Sequence, residues 1–81
     1  MPKRKIAILG STGSIGKTLL QIVEKEKKIF DILLLSADKN HNDLLKQAKK
    51  FNVKNLIITD NHSFKILKNK KKNLKIRVYN N

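Results

Sequence analysis

The sequence contains no cysteine, so it offers no disulfide framework and no thiolate metal site. No apolar run approaches the roughly 18–20 residues needed to cross a bilayer. The basic start Met1-Pro2-Lys3-Arg4-Lys5 is followed only by Ile6 to Leu9 before glycine intervenes, too short for a signal-peptide core. A soluble, cytoplasmic protein is expected. Aromatic residues are few: Phe30, Phe51, Phe64 and Tyr79 fall mostly in apolar patterns and give little for nucleic-acid bases to stack on. Acidic residues are scarce as well, 6 against 19 Lys and Arg, for a net charge of +13. Yet the only arginines are Arg4 and Arg77. A surface built to grip phosphates recruits arginine, whose planar fork bonds oxyanions at two points. The lysines are spread along the chain, so the charge reads as compositional bias, with no nucleic-acid or membrane partner expected. A small basic nucleic-acid-binding module using Lys68 to Lys72 is kept as an alternative. The two histidines, His41 and His62, do not stand with carboxylates at ligand spacing and read as surface residues, which leaves no metal site in this chain.

What is present is one short α/β pattern. Eighty-one residues make at most one small domain, burying only roughly 60–65% of its unfolded surface. Such a chain can bind a ligand at a loop but hardly closes a catalytic pocket. Ile6 to Leu9 is a continuous apolar run, the mark of a parallel strand buried on both faces. After the segment Gly10 to Gly16, Ile15, Leu19, Ile22 and Val23 recur at helical spacing and predict a helix over about 14–27. Asp31 to Ser36 reads as a second strand. Asn40 or Asn42 can cap a second helix with the apolar face Leu44, Leu45, Ala48 and Phe51. Asn55 to Thr59 reads as a third strand, and Asp60-Asn61 as a turn. A weaker helix carries Phe64, Ile66 and Leu67 and runs into a solvated lysine-rich loop at 68–72. Leu74 to Val78 reads as a fourth strand. Helices alternating with strands imply parallel pairing through right-handed crossovers. The expected fold is a Rossmann-like, partial doubly wound parallel sheet: three β-α units plus a fourth strand. The first three strands are expected in the order 3-2-1, with the fourth outside the third. That order leaves the first strand as an exposed edge, which invites self-association or poor folding.

The chemistry concentrates at Gly10-Ser11-Thr12-Gly13-Ser14-Ile15-Gly16, a G-x-x-G-x-x-G between strand and helix. In such a loop the first glycine allows the turn, the second lets backbone approach a phosphate, and the third permits close packing of helix on sheet. The helix N-terminus offers free N–H groups and a positive dipole end to a pyrophosphate. Ser11, Thr12 and Ser14 add hydroxyls. The rival reading is a P-loop, because Gly16-Lys17-Thr18 resembles the end of G-x-x-x-x-G-K-[ST]; position 11, where that motif needs glycine, is serine. At the end of the second strand, where a dinucleotide's adenosine ribose is met, the chain carries Asp38-Lys39-Asn40. An acidic residue there favours the free 2′-hydroxyl of NAD and a basic one the 2′-phosphate of NADP, and spacing alone does not choose between Asp38 and Lys39.

Ile8-Leu9-Gly10-Ser11-Thr12-Gly13-Ser14-Ile15-Gly16, continued by Thr18-Leu19 and by Ala37-Asp38-Lys39-Asn40, resembles the opening signature of the 1-deoxy-D-xylulose 5-phosphate reductoisomerases. The resemblance implies an NADPH-dependent oxidoreductase of non-mevalonate isoprenoid biosynthesis. That enzyme converts 1-deoxy-D-xylulose 5-phosphate to 2-C-methyl-D-erythritol 4-phosphate with Mg2+ or Mn2+. It also implies that 1–81 is the N-terminal half of the NADPH-binding domain of a longer, homodimeric enzyme. No catalytic or metal-binding residue falls in this chain, which alone is expected to be inactive. The implied cofactor-binding residues are Gly10, Thr12, Gly13, Ser14, Ile15, Gly16, Asp38, Lys39 and Asn40. Many members carry glycine where Asp38 stands, and an aspartate beside a 2′-phosphate repels it unless turned away.

Overall fold

The computed structural model describes residues 3–80, which form four strands and three helices in strict alternation: β1 (Arg4–Ile8), α1 (Ser14–Lys25), β2 (Phe30–Ala37), α2 (His41–Phe51), β3 (Asn55–Ile58), α3 (Asn61–Lys70) and β4 (Arg77–Tyr79). All pairings are parallel and the strand order is β1-β2-β3-β4, the expected order with the fourth strand outside the third.

Right-handed crossovers that always step the same way put all three helices on one face of the sheet. The burial pattern agrees. Leu35 and Ala37 of β2 and Leu56 and Ile58 of β3 are buried against helices, while the alternate Leu34, Ser36, Asn55 and Ile57 are only half-buried. The core joins Ile8, Leu20, Val23, Leu44, Leu45, Ala48, Leu67 and Ile76 to these strand residues. Local capping agrees with the sequence: Asn40, not Asn42, caps α2 by accepting from the Asp43 N–H at 3.2 Å. Asn52 closes α2 in the left-handed conformation (φ 55°), one that asparagine tolerates.

Several expectations are corrected. β1 begins at Arg4 and excludes Leu9, and only Ile8 of it is buried, because it is an edge strand pairing with β2 alone rather than one covered on both faces. Its register with β2 slips between Ile6 and Ala7, leaving Leu33 as the extra residue. α1 stops at Lys25, and of its expected apolar residues only Val23 is buried, together with Gly16 and Leu20; Ile15, Leu19 and Ile22 are exposed. The pattern found an apolar stripe, but the small Gly16 lets a neighbouring stripe come closest to the sheet. Asp60 and Asn61 are not a free turn: Asp60 caps α3 and Asn61 begins it. Of the expected α3 contacts, Leu67 is buried, while Phe64 and Ile66 are half-buried. The helix carries Lys68 to Lys70, so the lysine loop is reduced to a turn from Lys71. β2 reaches one residue further at each end, β3 stops at Ile58, and β4 comprises only Arg77–Tyr79, the segment in register with Asn55, Leu56 and Ile57.

Candidate functional site

The glycine segment leaves β1 at the carboxyl end of the sheet and leads directly into α1. Gly10 has φ +67°, a conformation that side-chain-bearing residues rarely adopt, so the turn out of the strand rests on it. Its carbonyl accepts from the Gly13 N–H at 3.1 Å, closing the loop. A Cβ on Gly16 would stand 2.3 Å from that carbonyl oxygen and 2.5 Å from Ser11 Cα, so α1 approaches the loop at a distance only glycine allows. A Cβ on Gly13 would meet nothing nearer than the Gly10 oxygen at 3.5 Å. The absence of a side chain at 13 is therefore not required by the packing of the chain itself. It opens space beside the backbone.

Gly13 caps α1 with no side-chain hydrogen bond, and no acidic residue stands in the first turn. The first N–H groups of a helix have no intrahelical partner. Those of Ser14, Ile15 and Gly16, and that of Thr12 before them, find no backbone acceptor among the described residues. The other two helices begin differently, since Asn40 and Asp60 fill their first turns with side-chain oxygens. Gly13, Ser14 and Ile15 are exposed, Ile15 at 79%, and Thr12 is half-buried. This set of outward N–H groups, with the Thr12 and Ser14 hydroxyls and no competing carboxylate, suits a pyrophosphate.

Ser11 does not belong to that set, contrary to the sequence reading. It is fully buried, and its hydroxyl lies 2.7 Å from Gln47 Oε1 and 3.3 Å from the Ser36 carbonyl oxygen. Its backbone N–H donates to Ser36 O at 2.8 Å, and the Gly10 N–H donates to Ser36 Oγ at 3.0 Å. Gln47 Nε2 donates in turn to the Ser11 carbonyl at 2.9 Å. Ser36 and Gln47 were not singled out from the sequence. The one signal for Gln47 is its place between Leu44 and Ala48 on the inner face of α2, where an amide needs polar partners.

Asp38, Lys39 and Asn40 follow β2 at the same end of the sheet, all exposed. The Thr59 hydroxyl donates to the Asp38 carboxylate at 2.5 Å, which turns it toward the end of β3. The Asn40 side chain is occupied within its own helix: its Oδ1 takes the Asp43 N–H, and its Nδ2 donates to Asp43 Oδ2 at 3.0 Å. Near Lys39, Asp60 accepts from the Ser63 N–H at 2.9 Å and the Ser63 hydroxyl at 2.8 Å. These bonds hold its carboxyl below the usual range, with the Lys39 and His62 charges adding to the effect. Lys17 does not fold back over the glycine loop; its ammonium pairs with Asp43 at 3.4 Å. A P-loop lysine would have to reach the phosphates, so the rival motif loses its charge.

His62 is exposed, as expected of a surface residue. His41 is half-buried, with Nδ1 3.3 Å from Lys70 Nζ, and its pKa is lowered first by partial burial and then by the Lys70 and His62 charges. Among the described residues no group of three or more His, Cys, Asp or Glu is placed to hold a metal ion, and no helix is long and apolar enough to cross a membrane.

A family model described as 1-deoxy-D-xylulose 5-phosphate reductoisomerase matches residues 6–81. The reductoisomerase of Pelagibacter ubique (strain HTCC1062) is 54% identical over 78 residues, covering 96% of this chain and 20% of the relative. That of Buchnera aphidicola subsp. Acyrthosiphon pisum (strain Tuc7) is 41% identical over 75 residues, covering 93% and 19%. Among solved structures, the Zymomonas mobilis reductoisomerase in complex with NADPH superposes with a TM-score of 0.90 at 29% identity, covering 98% of this chain and 21% of that one. A reductoisomerase in complex with NADPH, fosmidomycin and magnesium gives 0.89 at 25% identity, covering 96% and 19%. The chain thus spans about a fifth of the length of the curated relatives it matches.

Proposed function

The chain belongs to the 1-deoxy-D-xylulose 5-phosphate reductoisomerase family, and on that premise we propose that residues 1–81 are the N-terminal half of an NADPH-binding domain. The observation that carries this reading is the uncapped first turn of α1 behind the Gly10–Gly16 loop. Its N–H groups have no backbone acceptor among the described residues, and no acidic residue stands in that turn. Thr12, Gly13, Ser14 and Ile15 receive the pyrophosphate, while Gly10 and Gly16 shape the loop. Lys39 receives the adenosine 2′-phosphate. Asp38, bonded to Thr59, is turned from it, and Asn40 contributes beside the ribose through its cap at the start of α2. NADPH supplies a hydride when bound; this chain's part is to hold its adenosine and pyrophosphate.

The longer enzyme, on this reading, rearranges and reduces 1-deoxy-D-xylulose 5-phosphate to 2-C-methyl-D-erythritol 4-phosphate. Its phosphosugar ligands and its Mg2+ or Mn2+ site are assigned to the part of the fold that this chain does not span. A cytoplasmic location, a homodimeric assembly and the lack of a nucleic-acid partner belong to the same proposal.

Titration of the chain with NADPH, NADH and magnesium ATP tests it. NADPH is expected to bind best. A hydrogen bond to a charged group contributes about 1.5–3 kcal/mol, with the exposed site at the low end. Lys39→Ala should therefore weaken NADPH several-fold to tens-fold and leave NADH unchanged. Gly13→Val should weaken both dinucleotides without unfolding the chain. The chain alone should oxidise no NADPH when substrate and metal are added. Equal loss of NADH and NADPH in Lys39→Ala would remove Lys39 from its assigned role, and preferential binding of ATP would replace the dinucleotide reading with a P-loop.

A further inference from the structure

We propose that Gln47 is a positioning residue for the pyrophosphate loop, acting from α2 through Ser11; this rests on the dinucleotide-binding reading above. The loop precedes α1, yet the side chain that fixes it comes from the next helix, 36 residues later. The two ends of the Gln47 amide have opposite needs, and Ser11 meets both. Its carbonyl accepts from Nε2 at 2.9 Å, and its hydroxyl, whose single proton points to the nearer of two acceptors, donates to Oε1 at 2.7 Å. This two-point arrangement fits only one orientation of the amide, so the Ser11 peptide is fixed in rotation as well as in place. With Ser36 holding the Gly10 and Ser11 N–H groups on the other side, the backbone that enters the loop is clamped between β2 and α2.

That clamp bears on the phosphate donors. Ser11 is fully buried and spends its own polar groups inward. The N–H groups of Thr12, Ser14, Ile15 and Gly16 then remain without a backbone acceptor among the described residues, while that of Gly13 closes the loop on the Gly10 carbonyl. Rotation of the Ser11 peptide would re-aim all of them together. Gln47 reaches no atom of the pyrophosphate in this scheme. It sets where the loop's N–H groups point, and its removal should affect every ligand that carries a pyrophosphate, whatever its 2′ substituent.

The test compares Gln47→Met, which keeps the length and loses both hydrogen bonds, with Ser11→Ala, which loses only the hydroxyl's. The readouts are NADPH and NADH affinity and the backbone amide NMR shifts of residues 12–16. Gln47→Met should weaken both dinucleotides by the same factor, about ten-fold, and displace those amide signals in the ligand-free chain. Ser11→Ala should give a smaller loss, and adding it to Gln47→Met should cost little more, as expected for one coupled unit. A purely structural role would lower the melting temperature but leave the affinity of the folded fraction and the NADPH-to-NADH ratio intact; that result, or unmoved amide signals, overturns the proposal. If Gln47→Met does not fold, Ser11→Ala decides by the same readouts. If the unsubstituted chain binds neither dinucleotide, the nucleotide reading fails, and displaced or unmoved amide signals still uphold or overturn the clamp.

Discussion

Around β2 and β3, the side chains Leu35, Leu44, Leu56, Ile58 and Leu67 have no exposed surface at all, whereas around β1 and α1, Leu9, Ile15, Leu19 and Ile22 keep 44–79% of theirs. The two regions are held by different means. The first is an apolar core under α2 and α3. The second adds to its few core residues, Ile8, Leu20 and Val23, the ladder between β1 and β2, the close approach of Gly16 to the loop, the Ser36–Ser11–Gln47 hydrogen bonds, and ion pairs from Lys17 and Glu24 to α2. The glycine loop of the candidate site lies in the second region. A loop that must offer backbone N–H groups to a ligand cannot also bury them, so it is set by geometry and hydrogen bonds, while the buried apolar mass sits one strand away.

Substitutions can break or sharpen this contrast. The largest effect should come from the lightly packed region, which makes it the sharper test. Gly16→Val places carbon within 2.3 Å of one backbone atom and 2.5 Å of another. Neither can retreat like a flexible side chain, so the cost exceeds the about 1–3 kcal/mol of ordinary overpacking, and the cooperative melt should vanish. Leu56→Ala in the dense region should cost about 2–5 kcal/mol by transfer and cavity terms, measured by urea denaturation. The pair Ile15→Ser and Leu19→Ser, on the open side of α1, should change stability by no more than about 0.5 kcal/mol. It should also reduce the self-association that the exposed edge and stripe invite, as read by sedimentation. A large loss there would mean that α1 buries these residues after all and would erase the contrast.

The smallest effect is one of pH. The Ser63 hydrogen bonds hold the Asp60 carboxyl below its ordinary value. A carboxylate depressed in the folded state contributes stability that is present above its unfolded pKa, about 3.9, and is lost as the pH falls through the lower folded value. Asp60→Asn keeps a capping oxygen, so the melting temperature near neutrality should hold while the decline in acid becomes shallower. Melts taken down through the carboxylate range check this.

The sequence made the alternation and the glycine loop legible because each is a local signal, a helical repeat, an apolar run or a fixed spacing of glycines, and the strand order followed from the handedness rule for parallel crossovers. A cap at Asn40 or Asn42 was legible as a local signal too, and the Asp43 N–H three residues on from Asn40 decides between them. The inner face of α1 was not. Of the expected stripe Ile15, Leu19, Ile22 and Val23, only Val23 is buried; periodicity reports a stripe without its partner, and the buried set is Gly16, Leu20 and Val23. Ser11 looked like a phosphate donor because it stands in the loop, and Gln47 was not singled out at all. Their pairing spans 36 residues, and no local pattern announces a hydrogen bond at that separation. At Asp38 and Lys39 the sequence left two readings open; the bond from the Thr59 hydroxyl, at the end of another strand, to the Asp38 carboxylate is what favours Lys39 in the proposed function, and no local pattern announces it.

Strand order in the sheet equals order in the chain, β1-β2-β3-β4. Among the described strands each pairs with its neighbour in the chain, and none of the four is inserted between two earlier ones. During synthesis, each new strand meets the edge left by the one before it, with its connecting helix already available to cover the join. Such a sheet can grow vectorially, as a ribbon lengthened one unit at a time, at the modest loop-closure cost of neighbouring contacts. The Gly10–Gly16 loop leaves the ribosome with the first unit, but its clamp arrives only with Gln47 in the second. On the proposed reading the loop's N–H groups are therefore aimed only after the second helix has docked, and a nascent chain stopped before it would carry the glycine motif without the Ser11–Gln47 bonds.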